Sequence, residues 1–223
     1  MFTLDLHTHT RFFHGQQRLG HAFDPVGVRL LAQVARHRGL DALALTNHDY
    51  YTPFSNHDPV LLPGIEISTT AGHVLVIGED PPRETVPGEL TPVKAVEIAH
   101  ERDCVAVMAH PFRNGSIRHS NADFDAVEVN GKHPENRGRI ERLARERSIP
   151  VVGGSDAHFP FEVGRAYTVV DAEERTAQAV VEAIRDGRVR PETEVGPMHR
   201  ALGRLYTLIH DWKGQLEPPT RER

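Results

Sequence analysis

The sequence TLDLHTHTRFFH, residues 3–14, joins an apolar run to a cluster of polar side chains of the kind that bind metals. The pattern of residues 2–8 is typical of a β-strand. His7 and His9 lie two positions apart, so on a strand their side chains point to the same side, where two imidazoles can chelate one cation. The stretch therefore predicts a first strand that carries a metal-type pair at its end.

The same arrangement recurs along the chain. Six apolar runs each end in a side chain of the metal-binding type, in the segments DLHTH, LTNHD, GIEIS, VMAHP, VEVN and GGSDAH. In the last of these, Asp156 and His158 repeat the spacing of His7 and His9. A single pair of this kind is a weak signal, whereas a series of such strand ends in order is a specific one.

Helical patterns separate several of these runs. One predicted helix has Asp24 as its N-cap and Gly39 as its C-cap, and a second begins at Thr91 and Pro92. Alternating helices and continuously apolar strands predict a buried parallel sheet. Roughly seven such units in one domain predict a closed or nearly closed α/β barrel.

A barrel of this kind would bring the polar strand ends together. The carboxyl ends of its strands open onto one face, and that face holds the active site. Glu66 lies between Ile65 and Ile67 in an apolar stretch, where a buried carboxylate is costly unless it is paired or binds a metal. Because a carboxylate has two oxygens, Glu66 is a candidate to bridge two cations.

Length and composition set further limits. The 223 residues suit a single domain over residues 1–223, with the motif-bearing barrel at about residues 1–190 and a final helix at about residues 198–213. The formal charge of -5 argues against non-specific binding to long nucleic acid or to anionic membranes. Cys104 is the single cysteine, which excludes an intrachain disulfide. No apolar run reaches the roughly 18 residues of a membrane span, so we expect a cytoplasmic protein.

The motifs DLHTHT, TNHD, GIE, AHP and GSDAH, taken in this order, are similar to those of the PHP (polymerase and histidinol phosphatase) family. The resemblance covers roughly residues 3–170. It implies a distorted, TIM-like (βα)7 barrel with a metal cluster at the carboxyl ends of the strands. It also implies that two or three divalent metals hydrolyse phosphoesters, and ligands without a thiolate suit Zn, Mn or Fe.

The resemblance also implies how the ligands are shared among the metals. The first metal would be held by His7, His9, Asp156 and the bridging Glu66. The second would be held by Glu66, by His110 and by a residue near the end of VEVN, where His133 is preferred and Asn130 and Glu128 are the alternatives. The third would be held by His48, His158 and His14.

Other residues complete the predicted site. Arg113 directly follows the motif HPF, and a guanidinium matches phosphate through paired hydrogen bonds. The residues predicted to bind substrate are Arg113, His73 and Arg165. The residues predicted to be catalytic are Glu66, Asp156, His158 and Arg113.

The function predicted from these features is hydrolysis of a phosphoester. The favoured form is a phosphatase acting on a small phosphomonoester or a nucleotide, with a hydroxide bridging two metals as the nucleophile. The alternatives are a phosphodiesterase or exonuclease acting on short nucleic acid, and a PHP scaffold without catalytic activity. A small phosphorylated substrate is the expected partner, while the sequence leaves the oligomeric state open.

Overall fold

The chain has an α/β fold. The computed structural model describes residues 1–11, 17–51 (with 17–22 as backbone only), 54, 60–113, 115–194, 196, 208 and 212. The strands are β1 Phe2–Thr8, β2 Ala42–Leu45, β3 Val60–Thr69, β4 Gly72–Ile77, β5 Val105–Met108, β6 Ala126–Asn130, β7 Val151–Gly154, β8 Ala166–Val170 and β9 Val189–Thr193. The α-helices are α1 Gln17–His37, α2 Pro92–Glu101, α3 Arg137–Arg147 and α4 Ala177–Arg185.

All of these strands belong to one nearly closed, barrel-shaped sheet. Their order is β7-β6-β5-β4-β3-β2-β1-β8-β9. Ala157, which follows β7, donates its N–H to the His7 carbonyl (3.2 Å), and its own carbonyl accepts from the His9 N–H (2.8 Å). These bonds join the end of β7 to β1 across the sheet, so the strand ends that carry the motifs face one opening.

The predicted count of seven strand–helix units is not confirmed. β1, β2 and β3 are parallel to one another, as are β5, β6 and β7, but β4 is antiparallel to both of its neighbours. The connection between β3 and β4 is only two residues long, whereas a parallel pair needs a crossover of about a dozen residues. β8 and β9 are further antiparallel additions beside β1.

The predicted helix ends are confirmed at Gly39 and Thr91 and wrong at Asp24. The Thr91 hydroxyl accepts from the Lys94 N–H (3.2 Å) at the start of α2, and Gly39 follows α1 with a positive φ of 71°. However, α1 begins before Asp24, which is therefore not its N-cap. The Asp24 carboxylate instead accepts from Thr10 and Arg11, both at 2.8 Å, which is a tertiary contact that the local pattern does not encode.

The C-terminal part of the chain falls largely outside the described residues. The helix predicted over about residues 198–213 is described only at Leu208 and Trp212, where the backbone is helical and both side chains are exposed. None of the described helices is both long and apolar enough to cross a membrane.

Thr168 joins β8 to β7 through its side chain. Its hydroxyl accepts from the Gly153 N–H (2.8 Å) and donates to the Gly153 carbonyl (2.9 Å). We expect Thr168→Val to lower the free energy of unfolding by about 1–3 kcal/mol, because both buried backbone groups lose this partner. Urea denaturation measures the change, and Thr168→Ser, which keeps the hydroxyl, is the control. Equal stability of Thr168→Val and the wild type would contradict this role.

Candidate metal centre

Glu66 on β3 is the centre of a cluster of histidines. It is fully buried, and five imidazoles lie within 3.4 Å of its carboxylate oxygens. The imidazoles nearest its Oε2 atom are those of His7 and His9, at 3.2 Å from Nε2 in each case, and His48, at 3.0 Å from Nδ1. The imidazoles nearest its Oε1 atom are those of His110, at 3.1 Å from Nε2, and His73, at 3.4 Å from Nδ1.

Each histidine reaches the cluster from a strand terminus. His7 and His9 come from the end of β1, His48 follows β2, and His110 follows β5. His73 lies near the start of β4, and because this strand runs in the reverse direction its start faces the same opening as the ends of the others. Residues that are up to about a hundred positions apart in sequence therefore meet around one carboxylate, as the barrel predicts.

An irregularity in β1 helps to aim its histidines. Leu6 belongs to the apolar cluster inside the barrel, yet the next residue, His7, contacts Glu66. Strict alternation along a strand would place these neighbours on opposite faces. The register between β1 and β2 shifts between Asp5 and Thr8, and a shift of this kind re-aims side chains next to functional sites.

Asp156 forms the second half of the site. Its Oδ1 atom lies 3.2 Å from His158 Nδ1, 3.5 Å from His9 Nε2 and 3.7 Å from His7 Nε2. The guanidinium of Arg113 pairs with the other oxygen, Oδ2. The structure therefore brings the histidines of the first motif next to Asp156 and His158 of the last motif. Arg113, which was predicted to bind phosphate, lies directly beside them.

Two residues of the site have strained backbones. His110 has a φ of 27° and Asp156 a φ of 55°, in the left-handed region that residues other than glycine rarely adopt. Each such residue costs roughly 1–3 kcal/mol and persists only where the surrounding structure imposes it. Backbone strain at two residues whose side chains belong to one polar cluster is typical of a functional site.

Glu128 and Asn130 support neighbouring residues. Glu128 Oε1 lies 2.7 Å from His7 Nδ1, and Glu128 Oε2 accepts from the His110 N–H (2.8 Å) and from Asn130 Nδ2 (3.2 Å). The Asn130 Oδ1 atom accepts from the Lys132 N–H (3.0 Å). These contacts place both residues one layer behind the Glu66 cluster, which favours a supporting role over the alternative role of metal ligand.

Three groups of described side chains have donor atoms close enough to share a cation, all within 4.8 Å of one another. The groups are His7, His9 and Glu66; His9, His48 and His158; and His48, Glu66 and His73. The preferred extra ligand, His133, belongs to none of them, and its Nδ1 atom lies 3.0 Å from Glu135 Oε1. Its metal role remains a prediction, and His14 lies outside the described residues.

Arg165 is buried, at the side of the site where His133 lies. Its charge acts on Glu135, the partner of His133. Burial raises the pKa of Glu135, but the hydrogen bond with His133 and the charge of Arg165 act in the opposite direction and lower it overall. Substrate binding by Arg165 therefore stays a prediction, whereas Arg113 and His73 do reach the cluster.

Lys132 is the site residue that the sequence interpretation missed. It is buried, and its Nζ atom lies 3.2 Å from Asp156 Oδ1 and 3.0 Å from His158 Nδ1. One signal pointed to it: the chain has 26 basic residues, and only Lys94, Lys132 and Lys213 are lysines. Lys132 also follows a motif-bearing strand end by two positions.

Burial and neighbouring charges set the protonation of the cluster. Burial raises the pKa of Glu66, but His48, His7 and His73 outweigh this effect and hold it well below the usual range. Burial, together with the charge of Arg113, lowers the pKa of His110 to about 4. His110 is therefore neutral at neutral pH, which is the form of imidazole that binds metals.

The donor set fits divalent cations. Several buried polar atoms of the cluster lack a hydrogen-bond partner among the described residues: Nε2 of His7, both ring nitrogens of His9, Oε2 of Glu66, and Nδ1 of His73 and of His110. Orphaned groups of this kind are rare in folded proteins and call for an explanation such as a bound ion. Imidazole and carboxylate ligands without a thiolate suit Zn, Mn or Fe.

The contact between Glu128 and His7 gives a testable prediction. By binding Nδ1, the carboxylate leaves Nε2 of His7 directed at the cluster, and partners of this kind typically change metal affinity 10- to 100-fold. We expect Glu128→Gln to weaken metal binding by about this factor in competition with a chelator. Glu141→Gln, at a partly exposed position on α3, should bind metal as the wild type does. Unchanged affinity of Glu128→Gln would exclude the orienting role.

A family model and several solved structures resemble this chain. The family model described as PHP-associated matches residues 134–189. PsfC from Pseudomonas syringae PB-5123 has a TM-score of 0.73 at 18% identity, over 95% of this chain and 98% of that one. The lesion-specific endonuclease PfuEndoQ from Pyrococcus furiosus has a TM-score of 0.57 at 18% identity, over 83% of this chain and 56% of that one.

A third structure is an amidohydrolase from Chromobacterium violaceum, solved with bound sulfate and no metal. Its TM-score is 0.53 at 16% identity, over 81% of this chain and 96% of that one. None of the curated proteins matches the chain in sequence. At these identities the structures show a shared fold, and the family model adds a PHP-associated segment. The PHP resemblance indicated by the motifs is confirmed by the family model over residues 134–189.

Proposed function

We propose that the protein is a metal-dependent phosphoesterase that acts as a phosphatase on a small phosphomonoester or a nucleotide. The observation that carries the proposal is the buried carboxylate of Glu66 with five imidazoles within 3.4 Å. A bound cation would satisfy the ring nitrogens and the carboxylate oxygen that lack hydrogen-bond partners among the described residues. The likeness in fold to an endonuclease and an amidohydrolase supports hydrolysis as the class of reaction.

The residues divide into those that hold metals and those that handle substrate. The proposed ligands are His7, His9, Glu66, His110 and Asp156, with His48, His158, His14 and His73 as further donors. Two or three divalent cations, Zn, Mn or Fe, would supply an activated water and positive charge for the phosphoryl group.

The protein groups around the cluster position substrate and ligands. Arg113 lies beside Asp156 and can donate two parallel hydrogen bonds to phosphoryl oxygens. Glu128 holds the Nδ1 side of the His7 ring, which keeps that ring oriented. The site is buried at its base, so charges there are screened less by solvent than charges at the surface.

A phosphodiesterase acting on the end of a short nucleic acid is the second candidate. The fold shared with the lesion-specific endonuclease favours it. The acidic balance of the chain, with a formal charge of -5, favours a small substrate instead. The many ligand-type side chains retained around Glu66 count against a scaffold without catalytic activity.

Hydrolysis of two model esters tests the proposal. Protein purified without chelator or histidine tag is supplied with Mn or Zn and assayed on p-nitrophenyl phosphate and on its bis-ester. Faster turnover of the monoester is the expected result. Turnover of the bis-ester alone would favour the nuclease alternative, and no turnover of either ester by metal-loaded protein would contradict the proposal.

A further inference from the structure

Two cationic side chains flank the carboxylate of Asp156. The Lys132 ammonium lies 3.2 Å from Oδ1, and the Arg113 guanidinium pairs with Oδ2. Both side chains are at most 10% exposed. Lysine is almost never buried without a partner, so this arrangement gives Lys132 a defined place within the site.

Both cations stand on short turns at neighbouring strand ends. Arg113 follows β5, where its N–H donates to the His110 carbonyl at 2.9 Å. Lys132 follows β6, where its N–H donates to Asn130 Oδ1 at 3.0 Å. The preceding Gly131 donates to the Gly154 carbonyl at 2.9 Å, which ties this turn to the end of β7. The two positive charges are therefore held on one side of the cluster by backbone contacts.

The single negative charge of Asp156 cannot fully compensate Lys132, Arg113 and a bound metal at the same time. A charged ammonium has no lone pair, so Lys132 cannot itself be a ligand and instead competes for the carboxylate. If Asp156 binds a cation, the positive charges of Lys132 and Arg113 lose part of their compensation. A buried charge without compensation is costly, so the same place then favours an anion.

We infer that Lys132 is a substrate-binding residue, which together with Arg113 grips the phosphoryl group and selects a phosphomonoester over a diester. The inference rests on the proposed function and deepens it. A monoester dianion carries more charge and one more non-bridging oxygen than a diester. Arginine can take two of these oxygens through its fork, and lysine can take the remaining one as a point charge.

Substitution of Lys132 tests the inference through binding as well as turnover. In metal-loaded protein, Lys132→Met is expected to weaken the binding of inorganic phosphate by about 10- to 100-fold, measured by titration calorimetry. The ratio of kcat/KM for p-nitrophenyl phosphate to that for its bis-ester should fall by at least about tenfold. Lys132→Arg, which keeps the charge, should retain part of the phosphate affinity.

The control removes an equal charge elsewhere. Lys94 is half exposed and pairs with Glu97 on α2, so Lys94→Met should leave phosphate binding and the ester ratio unchanged. Metal content and thermal unfolding are measured for each variant. If Lys132→Met does not fold, Lys132→Gln replaces it, because glutamine keeps a hydrogen-bond donor on a side chain of similar reach.

The outcomes separate this inference from the proposed function. Weaker phosphate binding at unchanged metal content supports the inference. Phosphate binding equal to that of the wild type would overturn it, and so would a loss of metal by Lys132→Met, since Lys132 would then serve the metal site alone. A wild-type protein that holds metals but neither binds phosphate nor cleaves either ester would contradict the proposed function itself.

Discussion

Replacing Glu66 by glutamine is expected to remove bound metal and to abolish most of the hydrolytic activity. The carboxylate is the shared neighbour of five imidazoles and has no exposed surface. An amide offers one neutral oxygen without the negative charge of a carboxylate, and its NH2 group cannot bind a cation. Since residues one layer behind the ligands typically change affinity 10- to 100-fold, we expect a loss greater than about 100-fold here.

The measurement is metal content after dialysis against buffer with a known free concentration of Mn or Zn. Glu97→Gln, on the exposed face of α2, removes a carboxylate of the same type and should leave metal content unchanged. Retention by Glu66→Gln of as much metal as the wild type would show that the five imidazoles do not form a centre around this carboxylate.

Asp5→Ala is expected to have the largest effect on stability. The Asp5 carboxylate is fully buried and accepts three backbone N–H groups: from Ser155 at 2.9 Å, from Gly164 at 2.8 Å and from His7 at 3.3 Å. These bonds tie β1 to the end of β7 and to the turn before β8. Because alanine leaves the three donors without this acceptor, we expect the free energy of unfolding to fall by about 3 kcal/mol or more.

The effect of Asp5→Ala should depend on pH. Burial raises the pKa of Asp5 from 3.8 to about 6, so the folded protein holds this proton more tightly than the unfolded chain does. The stability that Asp5 contributes is therefore fully present below about pH 4 and declines as the pH rises through about 6. The difference between variant and wild type should be larger at pH 5 than at pH 7.5.

Urea denaturation in the presence of a chelator, which removes any contribution from metal, measures the effect of Asp5→Ala at both values of pH. Asp80→Ala is the matched control, because Asp80 is exposed and its ion pair with Arg102 is worth at most about 1 kcal/mol. A change for Asp5→Ala no larger than that for Asp80→Ala would contradict the role of this carboxylate in tying β1 to the end of β7 and to the turn before β8.

The proximity of the clustered side chains could be predicted from the sequence, whereas the architecture could be predicted only in part. Apolar runs that end in polar residues mark strands whose ends face a common opening, so the amino-acid pattern alone groups His7, His9, Glu66 and Asp156. The predicted count of seven strand–helix units is not confirmed, because β3 and β4 pair antiparallel through a two-residue connection, whereas a parallel pair needs a crossover of about a dozen residues.

The missed features depend on contacts between distant parts of the chain. Glu128 and His7 are 121 positions apart, and the sequence alone does not distinguish a carboxylate that orients an imidazole from one that binds a metal. Asp5 lies within a metal-type motif but serves the backbone at Ser155, which is 150 positions away. The sequence around Lys132 does not identify Asp156 as its partner, because the two residues meet only where the ends of β6 and β7 lie side by side.

The number of divalent metals bound per chain decides whether Glu66 lies at the centre of a metal site. Elemental analysis is performed on protein purified without chelator or histidine tag. We expect two or three equivalents of Zn, Mn or Fe per chain, held through dialysis. The absence of stoichiometric metal, even after Mn or Zn is added back, would contradict a metal centre around Glu66 and with it the proposed phosphoesterase.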